Sequence, residues 1–265
     1  MKKCLVFSLF LTTFFSALAH AQTTTYNNPA YLWEAASSLT YDEGDYGTGT
    51  ATHTIYMPVT ISRNFDHARL DWTIPFVYKS GSAAVSFLNG HPIRTGYNSG
   101  SQSASGLGDL LLKGSYYFSE QVEDQPLNTA LVAQEEFPTA DDKNGLGTGE
   151  FDEMLGIELN TNLTEEWKVF TNFYYTFLGN PSYINFRNQF AFDAGCAYKP
   201  TANLWAHLYY EQSLAIIGGT SDEQMIFLGG NYQWQHNIHL FADLGIGFTE
   251  NSPAIGITGG AGIEF

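Results

Sequence analysis

The chain predicts an all-β fold: a transmembrane, antiparallel, up-and-down β-barrel of about twelve strands, preceded by a cleaved signal peptide. Three observations carry that expectation. The C-terminal stretch AIGITGGAGIEF alternates strictly, with Ile255, Ile257, Gly259, Ala261, Ile263 and Phe265 on one face and Gly256, Thr258, Gly260, Gly262 and Glu264 on the other, the period of two that a strand imposes. Segments of similar length and pattern recur along the chain, near the roughly 9–11 residues a tilted membrane strand needs. Their connections alternate between short turns and longer Gly/Ser/Asn-rich loops, as the two rims of an outer-membrane barrel do.

The first segment is an address. Lys2 and Lys3 form a positive start, residues 5–18 an apolar run, and Ala19-His20-Ala21 an A-x-A cleavage site, the pattern of a secretory signal. Residues 1–21 are therefore the signal peptide and 22–265 the barrel. Cys4 precedes the apolar run, which argues against a lipid anchor at the cleavage site. Removing the signal takes two lysines, lowers the formal charge from −16 to −18, and leaves Cys196 as the one cysteine.

The strands then follow in order. Segments 32–41, 52–62 and 69–79 come first, with looser alternation. Segment 106–118 sets Leu110, Leu112, Gly114, Tyr116 and Phe118 against Asp109, Lys113 and Ser115. After 128–137, segment 151–163 sets Leu155, Ile157, Leu159 and Leu163 against Glu158, Asn160 and Asn162. After 167–178, segment 185–198 sets Phe186, Phe190, Phe192 and Tyr198 against Arg187, Gln189 and Asp193. Segments 204–212 and 224–234 lead to 239–248, where Leu240, Leu244, Ile246 and Phe248 oppose His239 and Asp243, and the chain closes with 254–265. Short turns fall at 64–67, 164–166, 200–203 and 235–237, with 119–127 the long exception among them. The other end carries 42–51, 80–105, 138–150, 179–184, 213–223 and 249–253, of which 80–105 is long enough to fold inward. Phe118, Trp167, Tyr198, Trp205 and Trp234 gather near the short turns, and Tyr41, Tyr78, Phe137, Phe177 and Tyr210 near the long loops, as two headgroup-level aromatic rims would.

Composition removes several classes. With 44% hydrophobic and 15% aromatic residues the chain is not disordered. Twenty-seven acidic against 11 basic residues argue against a nucleic-acid partner, which needs phosphate-neutralising cations. Two cysteines supply no disulfide framework. A secreted β-sandwich would alternate too, but it accounts for neither the even strand number nor the loop asymmetry.

At Gly106-Leu107-Gly108-Asp109, Phe137-Pro138-Thr139, and Gly145-Leu146-Gly147-Thr148-Gly149 followed by Asp152, the chain resembles the putative MetA-pathway of phenol degradation family of bacterial outer-membrane β-barrel proteins. The resemblance is sharpest over 106–159; Ala140 stands where the family usually has glycine. It implies Gly106, Gly108, Asp109, Pro138, Thr139, Gly147 and Gly149 as family-motif positions. It also implies an outer-membrane channel or transporter, in some members linked to aromatic-compound breakdown.

Gly145–Gly149 is not a phosphate loop, since no Lys-Ser/Thr follows. The acidic clusters Asp42-Glu43-Asp45, Glu135-Glu136, Asp141-Asp142 and Asp152-Glu153 lack calcium-loop spacing, so no metal or other cofactor is expected. His53, His67, His91, His207, His236 and His239 show no serine-paired lipase pattern, and no catalytic residue is expected: the chain is not read as an enzyme. His207 and Glu211 share a face but lie about 13 Å apart by strand rise. By alternation Arg69, Asp71, Asp109, Lys113, Glu158, Lys168, Arg187, Asp193, Glu211 and Asp243 face the lumen, as either a stiffening ion-pair lattice or a charged constriction. Phe170, Tyr174, Trp205, Tyr209, Phe227 and Phe241 join them.

The expectation is an outer-membrane channel for passive passage of small, aromatic or hydrophobic solutes, with periplasmic termini and extracellular long loops. The alternative is a non-transporting surface barrel with a structural, adhesive or ligand-binding role, which a plugged lumen would favour; a barrel hydrolase ranks third. Expected partners are outer-membrane lipids, the barrel-assembly machinery through the C-terminal strand ending in Phe265, and the solute. Solute identity, direction of flow and oligomeric state are not written in the sequence.

Overall fold

A computed structural model describes residues 32–95, 102–118 and 127–265. The expected signal peptide and most of the 119–127 turn lie outside them. The described residues hold the strands β1 (Trp33–Gly44), β2 (Thr52–Asn64), β3 (Ala68–Ser80), β4 (Val85–Leu88), β5 (His91–Arg94), β6 (Ser103–Leu107), β7 (Leu110–Tyr117) and β8 (Asn128–Phe137). They continue with β9 (Asp152–Asn162), β10 (Trp167–Phe177), β11 (Gln189–Thr201), β12 (Leu204–Ser213), β13 (Glu223–Gln235), β14 (Ile238–Gly247) and β15 (Ile255–Glu264). One 3₁₀ turn, Asp142–Asn144, lies between β8 and β9.

Thirteen of these strands form one antiparallel sheet that closes on itself, with β1 paired to both β2 and β15. Closure leaves no sheet edge to satisfy at the seam: Trp33 and Phe265 exchange backbone hydrogen bonds of 3.0 and 2.9 Å. β6 and β7 occupy one position in the wall, because both pair with β3, β6 along Phe76–Ser80 and β7 along Ala68–Thr73. The wall is therefore twelve strands around. Neighbouring strands follow each other in sequence, as an up-and-down barrel requires.

Sidedness settles its solvent. Outward positions carry large exposed apolar side chains, among them Val59, Ile74, Leu131, Leu155, Leu228 and Ile257. Inward positions on the same strands are polar or aromatic and buried: Thr60, Thr73, Glu158, Asn231 and Thr258. An apolar exterior around a polar interior is the inverse of a soluble barrel and fits a hydrocarbon surround. Aromatic pairs mark both ends of the apolar band. Trp33–Trp72 and Trp167–Tyr198 lie near the short turns and Phe137–Phe151 and Tyr175–Phe177 near the long loops, the amphipathic positions where rings meet headgroups.

The wall departs from the expected segments in three places. Segment 106–118 is not one strand: Gly108 and Asp109 interrupt it between β6 and β7. β11 starts at Gln189 rather than 185, so Phe186 and Arg187 belong to the preceding loop. The 80–105 loop contains a hairpin of its own, β4–β5, which pairs with no barrel strand.

Candidate functional site: the lumen and its mouth

The lumen is built in layers, because inward residues at matched register meet around the wall. Nearest the short turns, Ser62 stands opposite both Asp71 and Glu34 across β1–β2–β3. The Arg69 guanidinium reaches all three: Nε donates to Asp71 at 2.7 Å, Nη1 to Glu34 at 2.8 Å and Nη2 to Ser62 Oγ at 2.7 Å. This planar fork of donors satisfies two carboxylates at once. His239 Nε2 lies 3.5 Å from the other Glu34 oxygen.

Further polar groups pair elsewhere on the inner wall. Lys113 Nζ approaches Glu158 at 3.6 Å, and Tyr174 donates its hydroxyl to the same carboxylate at 3.1 Å. Asn172 Nδ2 donates to Asp193 at 2.8 Å, and His207 Nε2 contacts Asp243. Lys168 lies over the Trp205 ring at 5.5 Å, a cation–π arrangement. Arg69, Asp71, Glu158, Lys168, Asp193 and Asp243 are thus buried on the inner wall, with Lys113 partly buried beside them. Arg187 is elsewhere: it sits in the loop before β11, exposed, with its guanidinium beside Gly218. Strand alternation could not place it because the strand begins two residues later.

An aromatic cluster fills the same interior. Tyr209 stacks on Phe227 with centroids 4.8 Å apart and 14° between planes, and Phe170, Phe241 and Met225 pack with them. Glycines on adjacent strands leave the space. A Cβ on Gly195 would meet Tyr209 Cβ at 2.4 Å, and one on Gly260 would meet Phe241 Cζ at 2.3 Å, closer than any side chain tolerates. The Phe241 ring therefore abuts the Gly260 backbone, and Tyr209 sits close beside Gly195, where a larger residue could not stand.

The residues expected as family-motif positions converge at the long-loop rim. Where β6 breaks, Gly108 donates its N–H to the Pro75 carbonyl at 2.9 Å. Asp109 Oδ1 accepts from the backbone of Thr139 at 2.7 Å and of Ala140 at 2.8 Å. Thr139 answers, its hydroxyl oxygen accepting from Leu110 N–H at 3.0 Å. Pro138 precedes it at the end of β8. Gly147 lies against the other side of Asp109, where a Cβ would be 2.0 Å from Oδ2. Gly149 has φ +81°, beside Asp142, a backbone region that suits glycine; Gly106 faces Leu146. Asp109 is consequently not a free lumen charge. It clasps the break in β6–β7 to the loop after β8.

The clasp abuts the β4–β5 hairpin, which folds into the mouth. Asn89 and Gly90 have φ of 50° and 86°, the two positive values a type I′ turn requires. Gly90 meets the Tyr56 ring so closely that a Cβ would lie 2.6 Å from Cζ. Glu136 receives the Asn89 N–H on both oxygens, at 3.0 and 2.9 Å, and Gln134 Nε2 donates to Asn89 Oδ1 at 2.8 Å. Ser86 Oγ donates to the Gly147 carbonyl at 2.8 Å, and Lys79 Nζ donates to the Val85 carbonyl. Phe87 packs with Tyr56, Val77 and Leu146, whereas Leu88 and Ile93 pack with Leu178, Phe186 and Ile216 from the opposite loops. The hairpin thereby spans the mouth. Its Asn-Gly pair, flanked by Val85–Leu88 and His91–Arg94, was the available signal for a turn within the long loop. Among the described residues, no group of three or more His, Cys, Asp or Glu side chains is arranged to hold a metal ion.

The family model described as Putative MetA-pathway of phenol degradation matches residues 47–265. No curated protein sequence matches the chain. Among solved structures, the KdgM porin shares a TM-score of 0.51 at 11% identity, covering 87% of this chain and 99% of its own. The NanC porin shares 0.50 at 8% identity, covering 87% and 98%. The transport unit of the autotransporter AIDA-I from Escherichia coli shares 0.51 at 10% identity, covering 90% and 91%. At such identities the likeness is one of fold.

Proposed function

This chain belongs to the family described as Putative MetA-pathway of phenol degradation, and from that premise we propose that it is an outer-membrane channel for passive passage of small solutes, aromatic and hydrophobic ones among them. The hairpin carries the reading. The mouth is closed by β4–β5, a segment outside the barrel sheet, so it can swing away without breaking a single inter-strand bond of the wall. Beneath it the solute meets aromatic faces, Tyr209 and Phe227 foremost, among fixed charges of both signs. Passage is gradient-driven.

In this reading the outer face contacts lipid, the termini are periplasmic and the long loops, hairpin included, face outward. The C-terminal strand ending in Phe265 is what the assembly machinery engages. Arg69, Asp71, Lys113, Glu158, Lys168, Asp193 and Asp243 form the polar lining; Asp109 and the motif glycines hold the mouth. His207 Nε2 contacts Asp243, and its Nδ1 has no hydrogen-bond partner among the described residues; hydrolysis is not assigned.

Liposome swelling tests it. Protein lacking residues 82–103 should admit small aromatic alcohols and sugars several-fold faster than the intact chain, while both migrate as heat-modifiable barrels on SDS gels. The buried lumen favours one other reading, a non-transporting surface barrel. If the deletion abolishes a surface-binding activity and leaves solute entry at the level of empty liposomes, that reading replaces the channel.

A further inference from the structure

On the outer face, five strands bring outward residues into a single register row. Arg63 on β2 stands opposite Leu70 on β3, Leu70 opposite Gly114 on β7, Gly114 opposite Ala133 on β8, and Ala133 opposite Leu155 on β9. The row climbs. Arg63 is the penultimate residue of β2, at the short turns, whereas Leu155 lies in the long-loop half of β9. Over its middle the wall is recessed by about 600 Å³, because Gly114 has no side chain and Ala133 only a methyl. Leu70 and Leu155 bound the recess along the row, and Tyr116 and Leu131 line its short-turn side. A Cβ at Gly114 would meet nothing nearer than Leu70 Cδ1 at 3.9 Å, so the floor is open to the surroundings.

The low end of this groove carries a charge. Ser62 turns inward to Arg69, so Arg63, next in the strand, turns outward. Its guanidinium carbon lies 4.9 Å from the Trp33 ring centroid and 5.7 Å from that of Phe65, and Phe65 also lines the recess. No ion pair holds Arg63 among the described residues, although Asp66 is in the adjoining turn. A guanidinium held over aromatic rings keeps its in-plane N–H donors for an oxyanion. Unfilled apolar space forfeits dispersion contacts, and in a hydrocarbon surround an acyl chain supplies them. Four strand spacings of about 4.8 Å separate Arg63 from Leu155. At a slant, that row reaches well into a hydrocarbon layer about 30 Å thick. We propose that this groove binds one glycerophospholipid of the leaflet at the short-turn rim, its phosphate on Arg63 and one acyl chain along Leu70, Gly114 and Ala133. That this leaflet is the periplasmic one rests on the orientation in the channel reading, but the groove is tested by binding rather than passage.

The experiment is native mass spectrometry of the full barrel released from detergent. The probes are palmitoyl-oleoyl phosphatidylglycerol, the matching diacylglycerol, and glycerophosphate without chains. One equivalent of phosphatidylglycerol should stay bound at no less than fivefold the occupancy of diacylglycerol, and glycerophosphate should not be retained. Arg63→Gln should lower phosphatidylglycerol to the diacylglycerol level. Gly114→Leu, which fills the groove, should lower it several-fold, whereas Gly259→Leu, at another open outward position, should leave it unchanged. Heat-modifiable gel mobility verifies that the variants fold; if Gly114→Leu does not, the three probes and Arg63→Gln decide. Equal retention of the two lipids, retention of glycerophosphate, or folded Arg63→Gln and Gly114→Leu variants that bind as the parent does would overturn the proposal. Selective retention by a barrel that gives no liposome swelling rejects the channel and keeps the groove. Swelling without selective retention does the reverse.

Discussion

The backbone N–H of Asn89 sits between the two carboxylate oxygens of Glu136, at 3.0 and 2.9 Å. A residue of the barrel wall thus holds the tip of a hairpin that is no part of the wall. The contact is buried, and an intramolecular hydrogen bond of this kind contributes about 0.5–1.5 kcal/mol.

Glu136→Ala should therefore loosen the hairpin and leave the barrel intact. Single-channel recordings in planar bilayers should show longer or more frequent open events than in the parent, with unchanged heat-modifiable mobility. An identical conductance record would mean that Glu136 does not restrain the hairpin.

Gly147→Ala should act at the clasp. Its new Cβ would fall 2.0 Å from Asp109 Oδ2, so Asp109 must leave the Thr139 and Ala140 amides or the 145–149 loop must shift. The expected loss is about 1–3 kcal/mol, the cost of stranding buried hydrogen-bonding groups. Urea unfolding in lipid vesicles reads it as a lower midpoint at unchanged slope. Asp109→Ala should give a loss of similar size, and the double variant little more than either alone, because both break one unit.

Arg69→Met should destabilise more than either. It leaves Glu34 and Asp71 buried without their shared cation, and breaking a buried ion pair from one side costs about 3–5 kcal/mol. Arg69→Lys should recover only part, since an ammonium cannot reproduce the three-way fork. The same urea titration orders the three proteins.

Phe227→Ala removes the ring stacked on Tyr209. In the background lacking residues 82–103 it should raise solute entry further, because the cluster is the next obstruction along the axis. In the intact chain it should change entry little. A rise in the intact chain would place the principal barrier at the aromatic cluster rather than the hairpin.

The barrel was readable from residues such as Ile257, Thr258 and Gly260, because a strand with lipid on one side and a lumen on the other writes its period into the sequence. The same rule located Asp71, Glu158, Asp193 and Asp243 on the inner wall. It failed at Arg187, where the rule was extended past the true start of β11, and it was silent about the hairpin, whose residues are buried on all sides and so carry no alternation.

Asp109 shows the other boundary. Its inward parity was evident, but parity says nothing of partners: that role depends on Thr139 and Ala140, some thirty residues away, arriving at a break that Gly108 permits. By itself the sequence determined the fold class, the two faces of most wall strands and the short and long rims, since these follow from local periodicity and turn chemistry. Only the tertiary structure decided that Tyr209, Phe227 and Phe241 pack together in the interior, that Arg69 gathers Glu34 and Asp71, and that the 85–94 hairpin packs across the mouth. Those features depend on which distant residues share a level inside the closed wall, and that is set by the register of twelve strands together.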